Sequence, residues 1–335
     1  MTAQSNADTL ITIFGGSGFL GRHLVRALAK QQYRIRIAVR RPDLAGYLQP
    51  LGSVGQIHSV QANVRHRPSV AAAVRGSNVV INLVGILFES GRQRFDAVQG
   101  FGAEGIALAA AAHDARMIHV SAIGADENST AAYARAKRHG EQLVLAATPD
   151  AVIFRPSILF GPNDDFFNRF AGIALLSPAL PLVGGGHTRF QPVFAGDVAD
   201  AIAKAVAGAT TPGAIYELGG PEIFTFKELM EFVLATIGRR RLLVPLPFGL
   251  AKLQAAVFEL VSKIPLRFLS KPLLTRDQVE LLRYDNVVSD AARGDGRTLE
   301  GLGITPRSVA AIVPSYLWRF RKSGQFSRSR GLNES

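Results

Sequence analysis

Short apolar runs alternate with segments of helical periodicity between residues 10 and 220. Ile11, Ile13 and Phe14 predict a buried strand, and the leucines at positions 20, 24 and 28 predict the helix that follows it. Strands that alternate with helical segments are typical of a doubly wound α/β protein, in which helices cover both faces of a parallel sheet. Further strands are predicted near residues 34–39, 57–62, 78–84, 117–120, 151–154 and 216–218.

Three glycines mark the junction of the first strand and the first helix. Gly15, Gly18 and Gly21 let the chain turn tightly, let a pyrophosphate approach the backbone, and leave the amides of the first helical turn directed at the anion. A glycine-rich loop can also be an ordinary turn, but the flanking strand and helix favour dinucleotide binding. The pattern predicts a Rossmann fold, with cofactor contacts from Gly15, Ser17, Gly18, Phe19, Leu20 and Gly21.

Two arginines follow the second predicted strand. In a dinucleotide fold this position meets the adenosine ribose, where an acidic residue binds free hydroxyls and an arginine pairs with a 2′-phosphate. Arg40 and Arg41 therefore predict NADP(H) in preference to NAD(H). The alternative is that two more basic residues mean little in a chain with a net charge of +12.

A fourth strand ends near Val84 and is followed by Gly85. A glycine just past a strand lets a cofactor approach the backbone, so both residues are candidate cofactor contacts. A simple turn explains Gly85 equally well.

A serine, a tyrosine and a lysine follow the fifth strand. Ser121 comes directly after it, and Tyr133 and Lys137 lie four residues apart on one face of a predicted helix. A tyrosine titrates at about pH 10, so it needs an adjacent cation to exchange a proton at neutral pH. Ser121, Tyr133 and Lys137 are the candidate catalytic residues.

Composition excludes several classes of site and partner. The 335 residues include no cysteine, which excludes disulfides and thiolate chemistry, and the seven histidines show no metal-ligand spacing. The first nine residues lack the apolar core of a secretory signal, so we expect a cytoplasmic location, including a peripheral position on the inner face of the plasma membrane. The positive net charge favours an anionic membrane surface or an acidic protein, and no module signature indicates nucleic acid.

The chain has a glycine turn followed along the sequence by a serine, a tyrosine and a lysine in this order. In this it resembles the extended or atypical short-chain dehydrogenases/reductases. The resemblance implies that Tyr133 moves a proton, that Lys137 holds the nicotinamide ribose, and that Ser121 orients a substrate oxygen. Residues 155–162 resemble the loop that borders the nicotinamide in this branch, which adds Pro156 to the cofactor contacts. Asn63 stands where the branch usually has an acidic residue near adenine, and its amide can still form a hydrogen bond.

Motifs in the C-terminal third narrow the resemblance. Residues 166–171, 244–247, 274–280 and 299–304 are similar to the nucleotide-binding accessory subunit of mitochondrial respiratory complex I and its bacterial relatives. Members of that family bind NADPH where the peripheral arm meets the membrane, and they are regarded as structural or assembly subunits. The resemblance therefore implies complex I or quinone-biosynthesis proteins as partners.

An apolar helical repeat also bears on location. Leu250, Leu253, Val257 and Leu260 share one helical face, and residues 263–271 mix cations with apolar side chains. This region can lie on a bilayer or pack on a partner, and an ordinary core helix of a smaller lobe explains the repeat equally well. The prolines and charges within it exclude a membrane span.

These observations predict a Rossmann core at residues 8–161, completed by about 191–220, and a small C-terminal α/β lobe at 162–190 and 221–325, followed by a basic tail at 326–335. The leading hypothesis is an NADP(H)-binding accessory or assembly protein of complex I or of quinone metabolism at the membrane surface. One alternative is a soluble NAD(P)-dependent oxidoreductase or epimerase that acts on a sugar nucleotide or another small carbonyl compound. Another is a regulator that senses NADPH.

Overall fold

Strands and helices alternate along most of the chain. The computed structural model describes residues 6–262, 274–322 and 324. The strands in chain order are β1 Leu10–Phe14, β2 Arg34–Val39, β3 Ile57–Gln61, β4 Val79–Asn82, β5 Arg116–Val120, β6 Val152–Pro156, β7 Leu159–Phe160, β8 Ala179–Val183, β9 Arg189–Phe190, β10 Val193–Phe194, β11 Ile215–Leu218, β12 Phe224–Thr225 and β13 Leu242–Leu246. The helices are α1 Phe19–Lys30, α2 Arg67–Val74, α3 Phe101–Ala111, α4 Ala132–Ala147, α5 Phe166–Leu176, α6 Ala195–Val206, α7 Phe226–Ile237, α8 Phe248–Ser262, α9 Arg276–Leu281, α10 Asp290–Gly294, α11 Val309–Ile312 and α12 Pro314–Leu317.

Within the described residues, seven strands form one parallel sheet in the order β11-β6-β5-β4-β1-β2-β3. The chain runs outward from β1 to β3 and then crosses back to β4, which pairs with the other side of β1. The strand order therefore reverses between β1 and β4, which is where doubly wound folds hold a dinucleotide beyond the carboxyl ends of their strands. The predicted Rossmann fold is confirmed.

Burial follows the apolar pattern of the sequence. Ile11, Ile13 and Phe14 on β1 are buried, as are the leucines at positions 20, 24 and 28 on α1. Both faces of β1 are buried because helices cover both faces of the parallel sheet, which is why its sequence is a continuous apolar run.

The chain divides into two compact units. The first comprises the residues up to Ser157 together with Ala195–Gly219 and Val288–Pro306, and it contains the large sheet. The second comprises Ile158–Phe194, Gly220–Val287 and the residues from Arg307 onward.

Residues 288–306 belong to the first unit, whereas the sequence pattern places them in the smaller lobe. The backbone amide of Glu217 on β11 donates to the carbonyl oxygen of Arg297 at 3.0 Å, and Arg297 Nη1 donates to the carbonyl oxygen of Ile215 at 2.8 Å. This segment thereby covers the edge strand β11 and satisfies backbone groups that would otherwise be unpaired.

The second unit contains short strand pairs and an aromatic core. β7 pairs with β10 and β8 with β13, both in parallel, and β9 pairs with β12 in antiparallel orientation. The buried residues include Phe160, Phe167, Phe190 and Phe226, whose rings pack mainly edge to face or tilted. Such offset arrangements are favourable for aromatic pairs.

The predicted apolar helix near residue 250 is α8. Its buried residues are Ala251 and Ala255, whereas Leu250, Leu253 and Val257 are 57%, 64% and 51% exposed. The alternative interpretation, an ordinary core helix that buries this apolar stripe, is therefore wrong for the described part of α8. The side chain of Leu260, residues 263–271 and the tail at 326–335 lie outside the described residues. None of the described helices combines the length and the apolarity that a bilayer span needs.

Candidate functional site

Two glycines of the turn between β1 and α1 occupy positions that no other residue fits without strain. Gly15 has a φ of +80°, and a Cβ there would lie 3.3 Å from the backbone carbon of Leu83. A Cβ at Gly21 would lie 2.4 Å from the carbonyl oxygen of Gly16, well inside van der Waals contact. The turn is therefore folded tightly between the start of α1 and the end of β4.

The first turn of α1 provides backbone donors for an anion. Gly18 is the N-cap residue, and no side chain caps the helix there. The amides of Phe19, Leu20 and Gly21 lie in the part of a helix that lacks intrahelical acceptors. Together with the positive end of the helix dipole, these amides fit a pyrophosphate.

The two arginines after β2 differ in their surroundings. Arg41 donates from Nε and Nη2 to the carboxylate of Asp43 at 3.0 and 2.8 Å, and this interaction raises the pKa of Arg41 and lowers that of Asp43. Arg40 is exposed and forms no hydrogen bond or ion pair with any residue that the structure describes. Of the two, Arg40 has the guanidinium that is available to a phosphate.

Two residues near the glycine turn were missed by the sequence analysis. The hydroxyl group of Tyr47 donates to the carbonyl oxygen of Ser17 at 2.6 Å, and the guanidinium of Arg22 lies 5.8 Å from the centre of the Tyr47 ring. These contacts hold the residue before Gly18 in place. Tyr47 lies in a 3₁₀-helical segment without clear periodicity, so the sequence offered no signal for the contact.

The structure brings the serine, the tyrosine and the lysine to the carboxyl end of β5. Lys137 Nζ donates to the carbonyl oxygen of Val120 at 3.2 Å, next to Ser121 in the chain. The same Nζ lies 6.0 Å from the centre of the Tyr133 ring. Ser121 is buried, and its Oγ has no hydrogen-bond partner among the described residues. A buried hydroxyl without a partner fits a site where a bound group completes the hydrogen bonding.

Lys137 is a buried cation close to an open position. Burial lowers its pKa to about 8, and the negative charge of Glu141 opposes that change. Glu141 is itself fully buried and accepts two hydrogen bonds from Arg155, at 2.8 and 2.6 Å. A Cβ at Gly85 would lie 3.4 Å from Lys137 Nζ, so the glycine leaves the space beside the ammonium group clear.

A buried polar pair supports the loop after β4. Asn82 Oδ1 accepts from the backbone amide of Val84 at 3.0 Å, so its Nδ2 faces His119 Nδ1 at 3.1 Å as the donor. His119 therefore accepts in its neutral form. Burial, together with the charge of Lys137, lowers its pKa to about 3. The sequence analysis missed this pair, although two polar residues inside apolar strands were a visible signal.

Two further predicted contacts already take part in local hydrogen bonds. Asn63 Oδ1 accepts from the backbone amide of Arg65 at 3.1 Å, and the backbone amide of Asn63 donates to Ser69 Oγ at 3.0 Å. Pro156 is buried at the end of β6, where its carbonyl oxygen accepts from the amide of Ile123 at 3.0 Å. The side-chain oxygen of Asn63 thus has a structural role in the turn after β3.

A model of the NAD dependent epimerase/dehydratase family matches residues 11–219. The chain belongs to this family. The matched region runs from β1 through β11 and includes the glycine turn and the tyrosine and lysine on α4. Membership of the NAD dependent epimerase/dehydratase family supports a nicotinamide dinucleotide as the cofactor.

Two relatives resemble the chain over nearly its full length. The first is subunit 9 of the NADH dehydrogenase (ubiquinone) 1 alpha subcomplex, a mitochondrial protein of Arabidopsis thaliana. It is 36% identical over 96% of this chain and 80% of its own. The second is the mitochondrial 40 kDa subunit of NADH-ubiquinone oxidoreductase from Neurospora crassa, 31% identical over 94% of this chain and 80% of its own.

A solved structure with the same fold is an NADPH-dependent quinone oxidoreductase of Escherichia coli complexed with NADPH. It superimposes with a TM-score of 0.70 at 19% identity, over 92% of this chain and 99% of its own. At this identity the similarity shows a shared fold.

Proposed function

We propose that the chain is an NADP(H)-binding accessory subunit or assembly factor of NADH:ubiquinone oxidoreductase, complex I, at a membrane surface. The observation that carries the proposal is the end-to-end relationship to the Arabidopsis subunit, which extends through both compact units. The family model by itself matches only residues 11–219.

The proposed cofactor contacts follow from the geometry of the first unit. The amides of residues 19–21 bind the pyrophosphate, next to Ser17 and Gly18 in the turn. Arg40 pairs with the 2′-phosphate of NADP(H) because its guanidinium has no competing carboxylate. Lys137 donates to the nicotinamide ribose from a buried position. The remaining cofactor contacts come from residues along the same edge of the sheet: Gly15, Asn63, Val84, Gly85 and Pro156.

A bound nicotinamide supplies or accepts a hydride. The chain retains the groups that would accompany such a step, since Ser121 has an unused hydroxyl and Tyr133 lies on the same helical face as the cationic Lys137. The same residues would also hold the ribose and the amide group of a nicotinamide that is never turned over. A tightly held, structural NADP(H) is therefore the simplest role, and turnover is the alternative that substrate screening tests.

The second unit supports a position at a membrane or on a membrane-bound partner. Leu250, Leu253 and Val257 form an exposed apolar face on α8, which is anchored through Ala251 and Ala255. Exposed leucines at helical spacing are typical of a helix that lies on an interface. We propose that the protein lies on the cytoplasmic face of the plasma membrane, which corresponds to the matrix face of the inner membrane in mitochondria.

Migration on a native gel tests the proposal. Native membranes are washed gently and solubilised in a mild detergent, and the chain is followed by immunoblotting beside a core subunit of complex I. We expect the two to migrate together. Migration with a quinone-biosynthesis assembly would mean that this assembly, and not complex I, is the partner. Recovery in the soluble fraction at every salt concentration would favour the oxidoreductase alternative. Absence of NADPH binding by the purified protein would contradict the cofactor assignment.

A further inference from the structure

A cleft of about 440 Å³ in the second unit is lined almost entirely by basic residues. It lies where α7 ends at Gly238, whose φ of +63° closes the helix in the left-handed conformation. The remaining lining residues are Arg239, Arg240, Arg241 and Lys322.

Backbone carbonyls, and not carboxylates, orient two of the three arginines of this cleft. Arg241 Nε donates to the carbonyl oxygen of Ala174 at 2.8 Å, and Arg239 Nε is 3.4 Å from the carbonyl oxygen of Phe320. Arg241 Nη1 also donates to the carbonyl oxygen of Arg240 at 3.2 Å. A neutral acceptor fixes a guanidinium without cancelling its charge, and the N–H groups outside these bonds stay available.

The charge of the cleft is uncompensated. Among the described residues, none of its four cations has a carboxylate oxygen within 4.0 Å. Elsewhere in the same unit Arg189 pairs with Asp285 and Arg276 pairs with Glu259. Like charges held together without acidic neighbours repel one another, and a bound anion removes that repulsion.

Exposed apolar side chains lie close in the chain to residues of the cleft or to the carbonyl groups that hold its arginines. Leu242 directly follows Arg241 and is 70% exposed, and Leu176, which is 93% exposed, lies two residues beyond the Ala174 carbonyl that Arg241 binds. Trp318 is exposed and lies two residues before Phe320, whose carbonyl faces Arg239. A soluble anion does not require exposed apolar side chains nearby, whereas a lipid at a bilayer surface presents a charged headgroup beside apolar chains.

We propose that the cleft formed by Arg239, Arg240, Arg241 and Lys322 binds the phosphate of an anionic phospholipid, with Leu176, Leu242 and Trp318 in the bilayer surface. The proposal rests on the proposed function only for the presence of a membrane, and it requires neither NADP(H) nor complex I. The cleft would then be the site at which the protein attaches to the membrane, and an anionic phospholipid would be its ligand.

Vesicle flotation with the purified full chain tests the site. The vesicles consist of phosphatidylcholine alone or of phosphatidylcholine with phosphatidylglycerol. One variant replaces the cleft cations by glutamine: Arg239→Gln, Arg240→Gln, Arg241→Gln and Lys322→Gln. A matched control removes the same charge from exposed, unpaired cations of the first unit: Arg26→Gln, Lys30→Gln, Arg34→Gln and Arg75→Gln.

We expect the wild-type chain to float only with the anionic vesicles. The cleft variant should lose about a hundredfold in apparent affinity, and the control about threefold or less, because basic residues act within a Debye length of the surface. NADPH binding by the first unit should be unchanged in both variants, and urea unfolding like that of the wild type shows that the second unit is folded as well. Equal losses in the two variants would mean that net charge alone drives binding, and the proposed site would be wrong.

A second variant distinguishes a lipid from a soluble phosphate. Leu176→Ser with Leu242→Ser leaves all four cations in place and should weaken binding to the anionic vesicles by about tenfold or more. Inorganic phosphate and glycerol 3-phosphate should bind far more weakly than the vesicles. If either binds as tightly, or if the serine variant floats like the wild type, the cleft is a site for a soluble anion and the lipid proposal is overturned.

Discussion

Lys137 Nζ donates a hydrogen bond to the carbonyl oxygen of Val120, 3.2 Å away. The bond ties the middle of α4 to the last residue of β5 and holds the ammonium group beside Ser121. A neutral carbonyl does not offset the loss of hydration that burial imposes, which is why the pKa of Lys137 falls to about 8. The lysine is therefore a fixed cation that a ribose hydroxyl or a bound anion stabilises further.

Replacement of Lys137 by methionine should weaken NADPH binding by about tenfold to a hundredfold. The substitution keeps the length of the side chain and removes a charge-assisted hydrogen bond, which contributes about 1.5 to 3 kcal/mol. Fluorescence titration of the purified protein measures the change. Lys30→Met, at the exposed end of α1, is the control and should bind like the wild type. Wild-type affinity in Lys137→Met would remove this lysine from the cofactor site.

The same substitution should raise the stability of the cofactor-free protein at pH 7. Because the folded-state pKa of Lys137 is lower than that of an unfolded lysine, the buried cation destabilises the fold fully below about pH 8 and progressively less up to about pH 10.5. Lys137→Met should therefore gain about 1 to 3 kcal/mol in the free energy of unfolding at pH 7. Urea unfolding at several pH values should show the difference from wild type shrinking as the pH rises. A difference that is constant with pH would contradict the lowered pKa.

Arg40 and Arg41 should differ in their effect on cofactor choice. Arg40→Ala should weaken NADPH relative to NADH by about 1.5 to 3 kcal/mol, because Arg40 has the uncommitted guanidinium. Arg41→Ala should change the ratio by about twofold or less, since that side chain is in an ion pair with Asp43. Parallel titrations with both nucleotides provide the ratio. Equal weakening of the two nucleotides by Arg40→Ala would mean that Arg40 is only surface charge.

His119 should make the fold sensitive to mild acid. Its folded-state pKa of about 3 lies below the value of about 6.5 in the unfolded chain, so its contribution is fully present above pH 6.5 and is lost as the pH falls toward 3. Between pH 7 and pH 5 the wild type should lose about 2 kcal/mol that His119→Gln does not lose. The exposed His58 provides the control, since His58→Gln should follow the wild type. Identical slopes for wild type and His119→Gln would show that the imidazole is not buried in neutral form.

Two buried serines should respond differently to removal of the hydroxyl group. Ser77 Oγ shares a hydrogen bond of 2.7 Å with Thr12 Oγ1, so Ser77→Ala should lower the free energy of unfolding by about 1 kcal/mol. Ser121→Ala should stay within about 0.5 kcal/mol of wild type in the cofactor-free protein, because the Ser121 hydroxyl has no partner to lose among the described residues. Urea unfolding measures both. A loss in Ser121→Ala as large as that in Ser77→Ala would show that the hydroxyl is already bonded.

The long elements of the first unit could be predicted because each carries its own periodic signal. β1 is a mainly apolar run, β2 alternates arginine with isoleucine, and α1 shows its leucines at helical spacing. The two-residue strands β7, β9 and β12 carry no such signal, since pairing with a distant segment defines them. For the same reason residues 288–306 could not be assigned to the first unit before their contacts with β11 were known.

The sequence by itself determined the Rossmann fold, the glycine turn and the helical spacing of Tyr133 and Lys137, because these depend on neighbours within a few residues along the chain. Only the tertiary structure decided which guanidinium is free at Arg40 and Arg41, that His119 is a buried neutral acceptor, and that the leucines of α8 face outward while its alanines face inward. Periodicity shows which side chains share a face. What covers that face, and which charges are neutralised, depends on segments that are brought together only by folding.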